Sequence, residues 1–199
     1  MMNKQGLQRV RLRAGRQVDL PPTLRLVERG NMVSIFQAAT NTELADARSL
    51  MRGFLAWHRR RHVEDTALID RYFDAAAWEA ELAGLPGKYA PPRGSLLIAY
   101  RGGQPAGCVA LRDLGDGVAE MKRMFVPTEY RGLGIGRALA DRAIADARKA
   151  GYRRMRLDTS RRQKEAIALY ESAGFRRIGP YYELSEDLRD WLVFFECDL

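Results

Sequence analysis

Hydrophobic and polar residues along this chain fall into two periods, and the switches between them mark out its elements. Val33-Ser-Ile-Phe-Gln37 alternates with period two and predicts a strand. Leu44, Ala47, Leu50, Met51, Phe54 and Leu55 then recur at three- and four-residue spacing, so a helix follows. Thr40 and Glu43 open it at capping-box spacing, and it ends near Trp57-His58, before the basic knot Arg59-Arg-Arg-His62. A second helix is expected over 68–82, with Ile69, Tyr72, Phe73, Ala76 and Ala80 on its apolar side and Gly84 as its stop. The Pro- and Gly-rich stretch 85–94 reads as a loop.

Three strands at 95–100, 107–112 and 118–126 form a meander, joined by Arg101-Gly-Gly-Gln104 and Asp113-Leu-Gly-Asp-Gly117. A helix over 134–150 carries Leu139, Ala143 and Ala147 inward and closes on Gly151; Ile144 falls off that stripe. The strand 154–158 comes after a helix and is expected to run parallel to its neighbour. Ser160 and Gln163 repeat the capping-box spacing before a helix with Ala166, Ile167, Tyr170 and Ala173, which Gly174 ends. Strands at 176–178 and 192–197 complete the order β-α-α-β-β-β-α-β-α-β-β, a mixed α/β sheet with helices on its faces.

The length of 199 residues suits one domain with a small appendage. Five of the eight net positive charges fall within residues 1–30, so the chain divides into a basic N-terminal extension, 1–31, expected to be poorly ordered, and a mildly basic domain, 32–199. Nucleic-acid binding would rest on that arm and is disfavoured. No apolar run reaches 18 residues, which argues against a membrane span, and no signal-peptide pattern is evident. Cys108 and Cys197 each sit in apolar runs and read as buried free thiols of a reduced, cytoplasmic setting.

The chemistry gathers on Glu120-Met-Lys-Arg-Met-Phe-Val126 and the loop Arg131-Gly-Leu-Gly-Ile-Gly136 that runs into a helix. Helix-start N–H groups lack intrahelical partners and carry partial positive charge. The glycines let a ligand approach that backbone, and Arg131 and Arg137 add formal charge, so the loop is a candidate phosphate site. A dinucleotide fingerprint fails on spacing: the sixth position from Gly132 is Arg137, and from Gly134 it is Leu139. Three antiparallel strands before the loop also do not suit that fold, and no Gly-Lys-Ser/Thr is present for a P-loop.

Arg131-x-x-Gly134-x-Gly136, together with the strand 120–126, Ala166-Ile-Ala-Leu-Tyr170 and Gly174-Phe175, resembles the GNAT (Gcn5-related) N-acetyltransferases over 33–199. The resemblance implies a GNAT-like sheet splayed between two central parallel strands, with acetyl-CoA as co-substrate and no metal. It implies that Met124, Phe125 and Val126 flank the pantetheine arm like an added strand. It places Arg131, Gly132, Leu133, Gly134, Ile135, Gly136 and Arg137 around the pyrophosphate. Gln163, Ala166 and Tyr170 would complete the coenzyme contacts, although relatives carry Asn where this chain has Gln163.

Acetyl transfer from a thioester to an amine needs a neutral amine, a stabilised oxyanion and a protonated leaving thiolate. The resemblance makes Tyr170 the acid for the sulfur and Glu120 the base, six residues before Val126; many relatives deprotonate the amine through water instead. Val118, Glu120, Lys122, Met124 and Val126 are expected to share one face of their strand. His58 and His62 have metal-compatible spacing, but arginines surround them and no further ligand is evident, so a solvated basic helix end is expected. Trp57, Trp78 and Trp191 read as core, while Tyr181 and Tyr182 lie where the family borders its acceptor pocket.

The acceptor itself is not legible. The resulting expectation is an enzyme acetylating a primary amine by direct attack. The alternatives are a non-catalytic acyl-CoA-binding module, or an acetyltransferase reaching a nucleic-acid-associated substrate or protein N-terminus through its basic arm. A homodimer through the apolar strand Leu192, Phe194, Phe195 is a further option.

Overall fold

A computed structural model describes residues 32–199; the basic segment 1–31 lies outside the described residues. Among the described residues seven strands form one sheet: β1 Val33–Gln37, β2 Ser95–Arg101, β3 Gln104–Gly115, β4 Val118–Phe125, β5 Arg154–Ser160, β6 Arg176–Ile178 and β7 Leu192–Asp198. Their order is β1-β2-β3-β4-β5-β7-β6, antiparallel throughout except for the parallel pair β4–β5. Six α-helices of the described residues cover it: α1 Asn41–Arg61, α2 Thr66–Tyr72, α3 Ala75–Ala83, α4 Ile135–Lys149, α5 Lys164–Ser172 and α6 Glu186–Trp191.

Period-two alternation divides the core between the two faces. Leu96, Ile98, Cys108 and Ala110 join Leu44, Leu50, Leu55, Ile69 and Leu82 beneath α1–α3. Leu97, Ala99, Val109 and Leu111 join Leu139, Ala143 and Ala147 beneath α4 and α5. Ile144 is buried there as well, because Ala140 and Ile144 widen the stripe.

Local chemistry explains most boundaries. Thr40 and Glu43 form the expected capping box on α1. The hairpin glycines Gly102 and Gly103 both have φ > 0, as does the second turn, Asp116-Gly117, which lies further along than expected because β3 continues to Gly115. Gly151 and Gly174 close α4 and α5 in left-handed conformation with Tyr152 N–H to Ala147 O and Phe175 N–H to Tyr170 O, the Schellman pattern.

Three expectations need correction. The single helix over 68–82 is two, because Asp74 leaves helical geometry and caps α3 by accepting from Ala77 N–H at 2.8 Å. The Ser160–Gln163 box does not form: Gln163 is itself the N-cap and Ser160 Oγ accepts from Arg162 N–H. Leu192, Phe194 and Phe195 are buried within the chain, since β7 lies inside the sheet between β5 and β6, so they offer no face to a second copy.

The feature that positions the site is a bulge in β4. Ala110 pairs with Lys122 but Cys108 pairs with Phe125, so β4 carries one extra residue. Arg123 sits there with φ +58°, a strained conformation for a long side chain. A bidentate pair with Glu81 (2.6 and 2.9 Å) and stacking on Trp78 at 4.7 Å hold it. The bulge inverts the alternation: Ala119 and Met121 pack towards α4, yet so do Met124 and Val126, while Phe125 packs towards α1. Glu120 and Lys122 therefore do not share a face with Met124 and Val126, contrary to strict alternation.

Candidate active site

β4 and β5 pair only from Val118↔Arg154 to Glu120↔Arg156. Past that point β4 follows β3 to Phe125 and β5 follows β7 to Ser160, so the two inner edges part. Their backbone groups face a gap instead of each other, which is the splayed sheet the sequence led us to expect.

On the α4–α5 side the gap opens into a cleft of about 380 Å³. Met124, Phe125, Val126, Arg131, Gly132, Gly134, Ile135, Gly136, Arg137, Gln163 and Ala166 all line it. Leu133 does not; it is 44% exposed. Gly132 and Gly134 have φ near +75°, and a Cβ on either would meet nothing within 4 Å. Backbone conformation demands glycine there, and the loop's open side stays accessible. Gly136 serves differently, because its Cβ would lie 3.4 Å from Leu169 Cδ2, so it sets the approach of α4 to α5. The first helical bond runs from Ala138 N–H to Gly134 O, which leaves the N–H groups of 135–137 without intrahelical partners.

Arg131 donates from Nε to Val126 O at 3.0 Å and lies 4.2 Å over the Trp57 ring. Trp57, Phe54, Tyr130, Glu165 and Leu169 also line the cleft, and none was singled out for it from sequence. Trp57 follows the apolar stripe of α1 closely enough to pass as core; only the arrival of the glycine loop above it makes it a wall.

At its inner end the cleft meets a cavity of about 50 Å³, sharing Phe54, Met124 and Gln163. Tyr170 lines this cavity from α5, buried, with its ring against Phe175 and Phe195. Burial first, and then the Asp158 carboxylate, push its phenol well above the ordinary value, so it keeps its proton at neutral pH.

Asp158, near the end of β5, lines the same cavity as Tyr170. It accepts from Lys122 Nζ at 2.6 Å and from the Tyr72 hydroxyl. Burial alone would raise its pKa, but the Lys122 ammonium and these hydrogen bonds hold it below the usual carboxylate range. In the sequence Asp158 is only the last residue of the strand expected over 154–158. The signal that could have found it is a carboxylate at the C-terminal end of a buried parallel strand.

Glu120 is fully buried on the α1–α3 side. Arg112 pairs with it across the strands, Tyr181 Oη donates to it at 2.7 Å, and Lys122 Nζ lies 3.4 Å away. It belongs to a row in register across five strands: Arg112, Glu120, Arg156, Glu196, Arg176. Tyr181 Oη also reaches Asp158 at 3.4 Å, so one hydroxyl lies between the two carboxylates.

A third space, a bowl of about 370 Å³, shares Tyr72, Lys122 and Arg123 with the central cavity and adds Lys88, Arg112, Leu114, Arg156, Tyr181 and Tyr182. Cleft, cavity and bowl are thus successive neighbours along the splay, each sharing a wall with the next. Trp78 is core beneath it, while Arg59 and Arg61 lie elsewhere, paired with Asp70 and Glu165.

The histidines depart from expectation. His58 and His62 are buried, not solvated, because α1 runs on to Arg61 and packs His58 edge-on against Trp191 and Phe54. Burial first, and then the neighbouring His62, lower His58 to about 4. Among the described residues no group of three ligating side chains surrounds them. Cys108 and Cys197 are buried and free, as expected, and burial pushes their thiols up to about 12 and about 11. No helix of the described residues is long and apolar enough to cross a membrane.

Comparison with known proteins agrees with this geometry. Residues 48–175 match the model of the Acetyltransferase (GNAT) family. An uncharacterised N-acetyltransferase of Schizosaccharomyces pombe is 43% identical over 104 residues, which is 51% of this chain and 64% of that protein, so the match spans less than two thirds of the relative. An acetyltransferase of Streptococcus agalactiae superposes with TM-score 0.65 at 24% identity, over 84% of this chain and 98% of that one. The PaiA N-acetyltransferase of Thermoplasma acidophilum, solved in complex with coenzyme A, superposes with TM-score 0.62 at 17% identity, over 84% and 99%.

Proposed function

Because the chain belongs to the GNAT acetyltransferase family, we propose that it transfers the acetyl group of acetyl-CoA to a primary amine by direct attack. The observation that carries this reading is the row of three neighbouring spaces along the parted strands, with a phosphate-binding loop at one end and titratable groups in the middle.

The cleft fits the donor. The N–H groups of 135–137 and the left-handed glycines form a cradle for a pyrophosphate, with Arg131 and Arg137 beside it. The free edge of β4 near Met124 and Val126 offers backbone groups to an extended amide-bearing arm. Tyr170 then donates its proton to the departing sulfur, a role suited to a buried phenol that stays protonated.

Glu120 takes the proton of the incoming amine through the Tyr181 hydroxyl, because its own carboxylate is enclosed and Tyr181 alone of its partners is a neutral hydroxyl lining the bowl. The thiols play no part, being buried and protonated.

The test is acetyl-CoA titration by calorimetry, followed by thiol release with a panel of amines. Binding with amine-dependent thiol release is expected. Binding without turnover of any amine would replace the enzyme by a coenzyme-binding module, and absence of binding would overturn the donor site.

A further inference from the structure

The bowl has a composition that the transferase reading does not require. Its lining holds five cations (Lys88, Arg112, Lys122, Arg123 and Arg156), three tyrosines and one leucine, with no carboxylate. The acids that pair with these cations stand behind the lining. Glu120 and Asp158 side chains are at most 1% exposed, and Glu196 and Glu81 are 6% and 10% exposed. Cationic heads face the space instead: the side chains of Lys88, Arg112 and Arg156 are 44%, 32% and 25% exposed. Positive charge is thus forward and negative charge withdrawn, so the field within the bowl is positive even though the pairs nearly balance.

The charged row fixes this arrangement. Arg112, Glu120 and Arg156 are in register on three successive strands, which sets the two guanidinium groups on either side of one carboxylate. Arg112 and Arg156 both engage their buried acids through Nε, and a guanidinium carries five N–H donors in all. Arg156 is braced further by the Tyr181 ring 5.4 Å away. An amine is a cation at neutral pH, so a substrate with amino groups alone meets like charge here. A substrate that also bears carboxylate does not.

We propose that the acceptor is a small amino-acid-type molecule whose carboxylate is held by Arg112, Arg156 and Lys88 while its amine points to the central cavity at Tyr72 and Lys122. The proposal rests on the transferase reading for the amine and adds the carboxylate. A volume of about 370 Å³ suits a single small molecule. The residues shared between bowl and cavity make the two spaces neighbours, so a molecule anchored in the bowl has its amine against the Tyr72 and Lys122 wall of the cavity.

The test uses the full chain and a series that loses carboxylates and keeps the amine: L-glutamate, 4-aminobutyrate, butylamine. Calorimetric binding to the coenzyme A-loaded protein and kcat/KM for thiol release from acetyl-CoA are both measured. Each carboxylate lost should weaken binding and lower kcat/KM about tenfold or more. Arg156→Gln should reduce the glutamate-to-butylamine ratio at least tenfold, chiefly through KM. Lys88→Gln, at the exposed rim, gives a smaller shift in the same direction and guards against misfolding of the arginine variant. Butylamine binding as tightly as L-glutamate, no binding of any carboxylated member, or an unchanged ratio in both variants overturns the proposal. Absence of thiol release with every amine while the binding order holds would instead count against the transferase reading.

Discussion

Tyr170→Phe tests the proposed source of the proton that leaves with the thiol. The ring packs against Phe175 at 6.0 Å and Phe195 at 6.2 Å between centroids, and phenylalanine preserves those contacts. Stability should change by no more than about 1 kcal/mol, the range for one hydrogen-bonding group. The chemical step should lose much more. General acid catalysis contributes about 10²–10⁴ in rate, equivalent to roughly 3–5 kcal/mol of barrier. Burial and Asp158 hold the wild-type phenol above its ordinary value, so it stays protonated through pH 6–9 and no alkaline limb within that range belongs to it. The assay is thiol release from acetyl-CoA with the best amine, at pH 6 to 9, with donor affinity measured by calorimetry. The expected result is kcat lowered 100-fold or more at every pH and donor affinity within about twofold of wild type. A kcat within twofold of wild type across that range refutes Tyr170 as the acid.

Gly134→Val places a β-branched residue at φ +77° and should cost about 1–3 kcal/mol of strain in the loop; calorimetry should find acetyl-CoA binding lost, and wild-type affinity defeats the cradle. Gly136→Val should give the same loss by another route, since an added Cβ would lie 3.4 Å from Leu169 and the further carbons force α4 off α5. Asp158→Asn leaves the Lys122 ammonium with Glu120 at 3.4 Å as its ionic partner, a loss on the order of 3 kcal/mol in urea unfolding at pH 7. Because the folded Asp158 pKa is depressed, that difference is fully present above the unfolded value of about 3.9 and fades as pH falls below it; a pH-independent gap contradicts the ion pair. His58 titrates at about 4 when folded, against about 6.5 unfolded. Stability is therefore fully present above pH 6.5 and declines by roughly 3 kcal/mol towards pH 4; His58→Leu should flatten that limb in acid unfolding, and an unaltered slope excludes His58 as its source.

Much of the cleft proposed for the donor was readable because its geometry depends on local chemistry. A left-handed glycine, a helix start and a flanking arginine are close in sequence, so Arg131–Arg137 can be proposed as an anion cradle before any folding is considered. The caps at Thr40, Gly151 and Gly174 are equally local. Trp57 and Asp158 were missed for the opposite reason: each has an ordinary apolar or strand context, and each acquires a role only when a distant segment arrives. His58 failed similarly, since the residues that follow it in sequence are arginines while its neighbours in space are Trp191 and Phe54.

The sequence by itself determined the order of the strands, the glycine loop and the tyrosine on α5, because periodicity, capping and glycine conformation are properties of short stretches, whereas the split at Asp74 and the short helix α6 were not read from it. Tertiary structure decided which face each catalytic candidate occupies. One extra residue at Arg123, pinned by Glu81 from forty-two positions away, inverts the alternation of β4 and separates Glu120 from Met124 and Val126. Strand pairing then aligned Arg112, Glu120 and Arg156 into one row and gave the bowl its charge. Register and bulges are set by pairing between distant segments, and a linear pattern carries no record of which residue its neighbour strand will meet.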